Sequence, residues 1–202
     1  MEREQEERLG QLVQIALREG ARAAKVLPTR MVVVDERVRL KCEVPRCAKF
    51  NQYLTCPPHV MDVATFSRVL SHYEWCLLVQ VEAENVDSTD KCPGRIAGSL
   101  LKENLKRHHP YQLKLLNIIE MVEAAAFKNG MRFAAGFTGG ECALCERCVE
   151  NKMTDPCRHP FRARPAMEGV GIDVIRTAAN AGLPIHLSSS ENVLWTGLVL
   201  LE

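Results

Sequence analysis

The sequence has no long hydrophobic run and almost no net charge. No segment approaches the roughly 20 consecutive apolar residues that a membrane-spanning helix needs. The first ten residues are densely charged, whereas a secretory signal would contain an apolar stretch there. The formal net charge of +1 gives no general reason to expect nucleic acid or an anionic membrane as a partner. These absences predict a cytoplasmic protein that binds neither a membrane nor nucleic acid.

Familiar catalytic and nucleotide-binding motifs are also missing. The sequence contains no GxxxxGK[ST] phosphate loop, no GxSxG nucleophile elbow and no HExxH zinc motif. Gly169 and Gly171 lack the rest of a GxGxxG pattern and a preceding strand, so they are a weak nucleotide signal. These patterns leave open whether the chain is an enzyme.

The hydrophobic pattern predicts an α+β sandwich of the α/β class, with a mixed sheet flanked by helices. With 47% hydrophobic residues, the 202-residue chain can fill a core, and we expect one domain over residues 1–202. Helices are predicted near residues 9–17, 63–70, 115–126 and 174–181, and strands near residues 24–27, 31–34, 75–81, 131–137 and 193–201. Two cysteine-rich loops, at about 41–59 and 139–165, should lie together at one edge of the sheet.

Nine cysteines are many for a chain of this length. In a reducing compartment thiols stay free, and clustered thiols more often bind metal than form disulfides. An odd count also argues against complete internal pairing. The cysteines therefore indicate metal binding.

The most specific pattern is the run of Cys142, Cys145 and Cys148, followed by Cys157. Two residues separate successive members of the run, which matches the first three ligands of a bacterial ferredoxin motif. The four cysteines are therefore predicted to hold a [4Fe-4S] cluster. Zinc is the alternative, although zinc sites often use two separate CxxC pairs, and the second pair is missing here.

Several charged residues lie near this run. Arg158, His159, Arg162 and Arg164 form a basic segment that could lower the pKa of neighbouring thiols. The alternative is a solvated loop whose arginines pair with Glu168 and other acids. For Glu168 and Asp173 we expect structural capping, with Asp173 at a helix start, rather than acid–base chemistry.

A weaker pattern consists of Cys42, Cys47 and Cys56 in a proline-rich loop. They predict a second metal site, which could hold a second cluster. The fourth ligand of this site is not evident from the loop itself. The candidates for that ligand are Cys92, His59, an exchanged Cys157, or an open iron position that could bind substrate.

The remaining cysteine and two adjacent histidines have simpler interpretations. Cys76 lies in an apolar strand and should behave as a small buried hydrophobe. His108 and His109, which precede the predicted long helix, are expected at the surface.

Two stretches of the sequence carry a specific pattern. The downstream stretch contains Cys142, Cys145, Cys148, Cys157, Arg158, His159, Pro160, Ala163, Arg164, Pro165, Met167, Glu168, Gly171, Ile172, Asp173 and Thr177, and the upstream stretch Cys42, Cys47, Cys56, Pro57 and Pro58. These residues resemble a prokaryotic family described as predicted metal-binding proteins, domain-of-unknown-function family 2284. That family shows CxxCxxC, then CRHPxxARPxMExxGIDVxxTAxxxG, with upstream cysteines that end in a CPP step. The resemblance implies metal binding and a small redox or metal-handling accessory, but it supplies no reaction.

Three functional hypotheses follow. The first is an iron–sulfur protein in electron transfer, redox sensing or metal handling, working with a redox protein or enzyme partner. The second is a zinc-stabilised interaction module. The third is an enzyme that uses an open iron at Cys42, Cys47 and Cys56.

Overall fold

The computed structural model describes residues 2–83, 98–185 and 192–202. The helices are α1 (Glu2–Arg18), α2 (Glu36–Glu43), α3 (Val63–Leu70), α4 (Gly98–Lys128) and α5 (Val174–Asn180), with 3-10 turns η1 (Thr29–Met31) and η2 (Glu168–Val170). The strands are β1 (Ala23–Pro28), β2 (Trp75–Ala83), β3 (Ala135–Thr138) and β4 (Val193–Leu201). None of the described helices combines the length and hydrophobicity that a membrane span requires.

The four strands form one sheet in the order β1-β2-β4-β3. All three pairings between these strands are antiparallel, and Trp75 of β2 faces Leu201 of β4. The predicted α+β architecture is confirmed. The prediction expected a mixed sheet, but the parallel component among the described residues is a single bridge between Thr138 and Ala166.

Both faces of the central strands are buried, which explains why β2 and β4 are hydrophobic along most of their length. Leu77, Val79 and Val199 face one core, which α1 and α4 complete. Cys76 and Leu198 face the opposite core, where α3, α5 and η2 contribute. Alternate side chains on a strand point to opposite faces, so each strand serves both cores.

Three local predictions differ from the structure. Residues 31–34 do not form a strand, because Val33 donates to Thr177 Oγ1 and accepts from Asp173, which ties this segment to α5. Helix α2 was not predicted, since it buries no side chain and has no apolar stripe. Helix α4 begins at Gly98 and continues through Pro110, well before the predicted start.

The two cysteine loops meet beyond the β3 edge of the sheet, as predicted. The second loop leaves the sheet after Thr138 and returns at Pro165, whose carbonyl accepts from the Thr138 amide. The Ala166 amide then donates to the carbonyl of Thr55 in the first loop, over 2.9 Å. This edge of the sheet therefore fixes where the cysteines can lie. The prediction of one domain stays a prediction.

Candidate metal site

The second cysteine loop starts with two glycines that let it pass close to strand β4. The Gly139 amide donates to the Thr196 carbonyl over 2.8 Å. Gly140 has a φ of 74°, and a Cβ atom there would lie 2.9 Å from the Trp195 ring. Only glycine fits this turn without displacing the indole, because it has no Cβ and tolerates positive φ. The loop's entry point is thereby fixed.

The four cysteines predicted as cluster ligands lie around one cavity. Cys142, Cys145, Cys148 and Cys157 all line it, and residues 53–55 of the first loop form the facing wall. The empty space measures about 350 Å³, part of it open to solvent. Each of the four is half-buried and free of disulfides. Within the described ranges, no three His, Cys, Asp or Glu side chains are arranged to hold a single metal ion. Metal binding by these four therefore stays a prediction.

The sulfur atoms in this loop have backbone donors close by. Burial raises the pKa of the Cys142 thiol, an N–H donated by Leu144 opposes that rise, and the neighbouring thiols of Cys157, Cys145 and Cys148 add to it. The His159 amide donates to the sulfur of Cys157 over 3.3 Å. Such N–H donors stabilise thiolates, and hydrogen bonds to sulfur tune iron–sulfur clusters.

The arginines of this segment bind carboxylates of helix α4 and backbone carbonyls. Arg162 Nε lies 2.9 Å from Glu120, and Arg164 Nε lies 2.6 Å from Glu123. Arg158 donates to the Arg147 carbonyl over 2.7 Å, which braces the loop. The alternative interpretation, in which the arginines pair with acids, therefore applies to Arg162 and Arg164, whose partners are Glu120 and Glu123 on α4 rather than Glu168.

Glu168 lies behind the entry of the second loop. Its Oε2 accepts from the Gly140 amide over 3.2 Å. Burial raises the pKa of this carboxyl, and nearby Glu141 adds to the rise. Asp173, by contrast, accepts from the Arg176 amide over 3.0 Å and caps α5, as predicted.

The three cysteines of the first loop lie at different depths. Cys56 is buried, Cys42 is half-buried and Cys47 is exposed. The Lys49 amide donates to the Cys47 sulfur over 3.4 Å. Burial raises the pKa of Cys56 to about 12, with smaller contributions from Glu141, Cys42 and Cys47.

The other proposed ligands are placed less favourably. His59 Nε2 lies 2.7 Å from Asn51 Oδ1, so this ring nitrogen already has a partner. Cys76 is buried in β2 and donates to the Leu27 carbonyl over 3.5 Å, as expected for a structural cysteine. Cys92 and the His108 side chain lie outside the described residues.

Thr55 is a wall residue of the cavity that the sequence did not single out. Its hydroxyl is buried and lies beside the thiol of Cys56, where its hydrogen bond lowers the pKa of that thiol against the larger effect of burial. Its position directly before Cys56 was the available sequence signal.

An open groove adjoins the cavity that the four cysteines line. About 1350 Å³ of partly solvent-filled space is lined by Tyr53, His109, Cys142 and Cys145, among others. His109 is exposed, as expected, and its Nε2 lies 2.9 Å from the Ala143 carbonyl. Lys49 closes one side through an ion pair of 2.6 Å with Glu141. The groove therefore gives a small molecule access to the cysteine loop.

Comparison with known proteins identifies one family. A family model described as "Predicted metal-binding protein (DUF2284)" matches residues 25–201. No curated protein and no solved structure matches the chain. The matched range includes both cysteine loops and all four strands except the first two residues of β1.

Proposed function

Because the chain belongs to the DUF2284 family of predicted metal-binding proteins, we propose that Cys142, Cys145, Cys148 and Cys157 hold a [4Fe-4S] cluster used in electron transfer. The cluster would supply one-electron chemistry. The chain would supply four thiolates and N–H donors to sulfur, and residues 53–55 would line the other side of the site. The partner would be a redox protein or a redox enzyme.

One observation carries this proposal: the four cysteines all line a single cavity. A single zinc ion with bonds of about 2.3 Å would hold its sulfurs roughly 3.8 Å apart, leaving no space between them. In a cubane each thiolate binds a different iron, so the sulfurs stand apart around a larger inorganic core. A cavity between the cysteines favours the cluster over the single ion.

The chemistry of the donor set also fits. The amides of Leu144 and His159 donate to the sulfurs of Cys142 and Cys157. These donors offset part of the negative charge that a thiolate-ligated cluster carries. Metal binding would also displace the proton that burial retains on Cys142, because thiols bind metal as thiolates.

The test is anaerobic purification followed by measurement of iron, sulfide, zinc and visible absorption. Cys145→Ser and Cys157→Ser should each lose about four iron and four sulfide per chain relative to wild type. Cys76→Ala is the matched control, because Cys76 lies in β2 away from both loops, and it should keep the wild-type content. A colourless protein with one tightly bound zinc would overturn the proposal.

The groove beside Cys142 and Cys145 favours a second candidate function, an enzyme that binds a small molecule next to the cluster. Tyr53 and His109 line this groove and could donate or accept protons. If this function holds, small anions such as azide or cyanide should change the visible spectrum of the reduced protein, and Tyr53→Phe should weaken that response. An unchanged spectrum would contradict the enzyme function, and electron transfer would then be the one proposed function.

A further inference from the structure

We propose that a redox protein with an acidic rim around an apolar centre docks on the second cysteine loop, at two turns formed by residues 151–155 and 159–163. These turns, together with the exposed cations beside them, form the docking face. The inference rests on the proposed function, because it assumes that the loop holds a cluster that exchanges electrons with another protein. It adds where that protein binds and which surface chemistry it needs.

The two most exposed large apolar side chains of the described residues both belong to this loop. Phe161 is 88% exposed and Met153 is 85% exposed, and Val44 follows at 67%. Single exposed apolar side chains are ordinary on a protein surface. Two of them in the loop that carries the predicted cluster ligands are more informative, because aromatic residues and methionine are enriched where proteins bind each other.

Both side chains occupy the middle position of a closed turn. In turn 151–155 the last amide donates to the first carbonyl over 2.8 Å, and Met153 lies between them. In turn 159–163 the last amide donates to the first carbonyl over 2.9 Å, and Phe161 lies between them. Each turn is a single helical turn that does not continue. Because a hydrogen bond closes each backbone, the apolar side chain at its tip is preorganised, which lowers the entropic cost of binding.

The two turns lie next to the cavity that the four cysteines line. Phe161 is two residues from both His159 and Ala163, which line the cavity. Two residues of chain span at most about 7 Å, so the Cα of Phe161 lies within that distance of the cavity lining. Met153 lies within the stretch 149–157, whose two end residues also line the cavity. A protein that binds both turns would therefore rest against the loop of the proposed cluster.

The cations of the docking face have no carboxylate partners among the described residues. Arg147, Lys152 and Arg158 form no ion pair there, and the last two donate to backbone carbonyls. Of the two acids in residues 147–163, Asp155 already accepts from two groups of its own turn, which leaves Glu150. Three cations against one carboxylate favour an acidic partner, since charge complementarity steers encounter and fixes orientation.

Stopped-flow reduction of the anaerobic full-length protein tests the docking face, with a reduced acidic [2Fe-2S] ferredoxin as the probe. The double variant Met153→Ala/Phe161→Ala should lower the second-order rate constant at least about tenfold, because a few central side chains carry most of the binding energy. Dithionite, which needs no docking, should reduce both proteins equally fast. Phe133→Ala is the matched control: Phe133 is 63% exposed but precedes β3, whereas the loop follows that strand, so its rate should equal that of wild type.

A charge reversal tests the choice of an acidic partner. Arg147→Glu should slow reduction by the ferredoxin several-fold at about 0.02 M salt and hardly at all at about 0.5 M, because salt screens exposed charges. Arg3→Glu, which reverses an exposed arginine of α1, is the control and should react like wild type at both salt concentrations.

Iron and sulfide measured on the same samples separate this inference from the proposed function. If wild type holds about four iron and four sulfide, but the ferredoxin does not reduce it or reduces the double variant equally fast, the docking face is disproved while the cluster stands. A wild type without iron and sulfide overturns the proposed function, and calorimetric titration with the ferredoxin then decides the docking face. A dimer of this chain, or a complex with an RNA oligonucleotide, that the double variant loses would assign the face to that occupant and overturn the inference.

Discussion

The described cysteines differ by what surrounds each sulfur. Cys76 lies in an apolar core, where burial alone raises its pKa to about 12. Cys142 and Cys157 lie at a cavity with backbone N–H donors next to their sulfurs. Cys47 is exposed at the surface but has the same kind of donor. The same side chain is therefore a hydrophobe in one place and a candidate ligand in another.

Cys76 gives a prediction about pH and stability. A cysteine thiol ordinarily has a pKa of 9.0, and burial raises that of Cys76 to about 12. Above pH 9 the unfolded chain ionises this thiol while the folded chain keeps it protonated, so the free energy of unfolding falls. The loss from Cys76 should approach about 1.4 kcal/mol per pH unit and should end near pH 12.

Cys76→Ala removes that contribution. Its free energy of unfolding should fall less steeply with pH than that of wild type, in urea titrations of reduced protein at pH 8, 9 and 10. Only the slopes are compared, so the cavity left by the substitution does not affect the result. Equal slopes would show that Cys76 ionises as readily in the folded chain as in the unfolded one.

Helix α4 and the sheet approach each other closely because glycine occupies two facing positions. A Cβ atom at Gly197 would lie 3.0 Å from both Ile119 Cδ1 and the Phe137 carbonyl oxygen, and one at Gly136 would lie 2.5 Å from Ile119 Cγ2. The sheet edge near Phe137 leads into the cysteine loop within three residues. The packing of α4 on these glycines therefore fixes the start of that loop.

Substitution at Gly197 tests this contact. Gly197→Ala should lower the free energy of unfolding by about 1–3 kcal/mol, because the new methyl group overpacks against Ile119 and a backbone oxygen. Gly10→Ala is the matched control. Gly10 lies within α1 with no atom within 4 Å of the added Cβ, so alanine there should raise stability by about 0.5–1 kcal/mol. Chemical denaturation measures both, and similar effects at the two positions would contradict the close-packing argument.

At the level of the whole molecule, the two cysteine loops lie outside the hydrophobic cores and do not contribute cysteines to them. The two hydrophobic cores on either side of the sheet contain Cys76 but none of the seven cysteines predicted as metal ligands. The loops are attached through a few backbone hydrogen bonds at the edge of the sheet, such as those of Thr138 and Ala166. Loss of metal should therefore change the loops and leave the sheet intact.

Hydrogen exchange, measured after a chelator has removed the metal, tests whether the loops open while the sheet stays folded. Removal of metal should expose the amides of residues 44–62 and 139–165 to exchange, while those of β2 and β4 keep their protection. The reason is that local opening follows the least buried parts of a structure. Mass spectrometry of metal-loaded and chelated protein would measure the difference. Simultaneous loss of protection in β2 would show that metal and core fold as one unit.

Local patterns in the sequence determined much of the fold. Strand β4 over Val193–Leu201 and helix α3 over Val63–Leu70 follow from periodicity, which depends only on neighbouring residues. Residues 31–34 were predicted wrongly as a strand because their partners, such as Thr177 and Asp173, are distant in the chain. Helix α2 was not predicted because it buries no side chain, so its sequence has no apolar stripe at helical spacing.

For the candidate site, the sequence alone determined which cysteines are close in the chain and that Asp173 begins a helix. The tertiary structure decided that Cys157 returns to the cavity of Cys142, that Thr55 lines the same cavity and that Arg164 reaches Glu123 on α4. The physical reason is that spacing fixes only local geometry. The meeting of the two loops depends on the antiparallel register of β3 and β4 and on the Ala166–Thr55 hydrogen bond, which join residues far apart in the sequence.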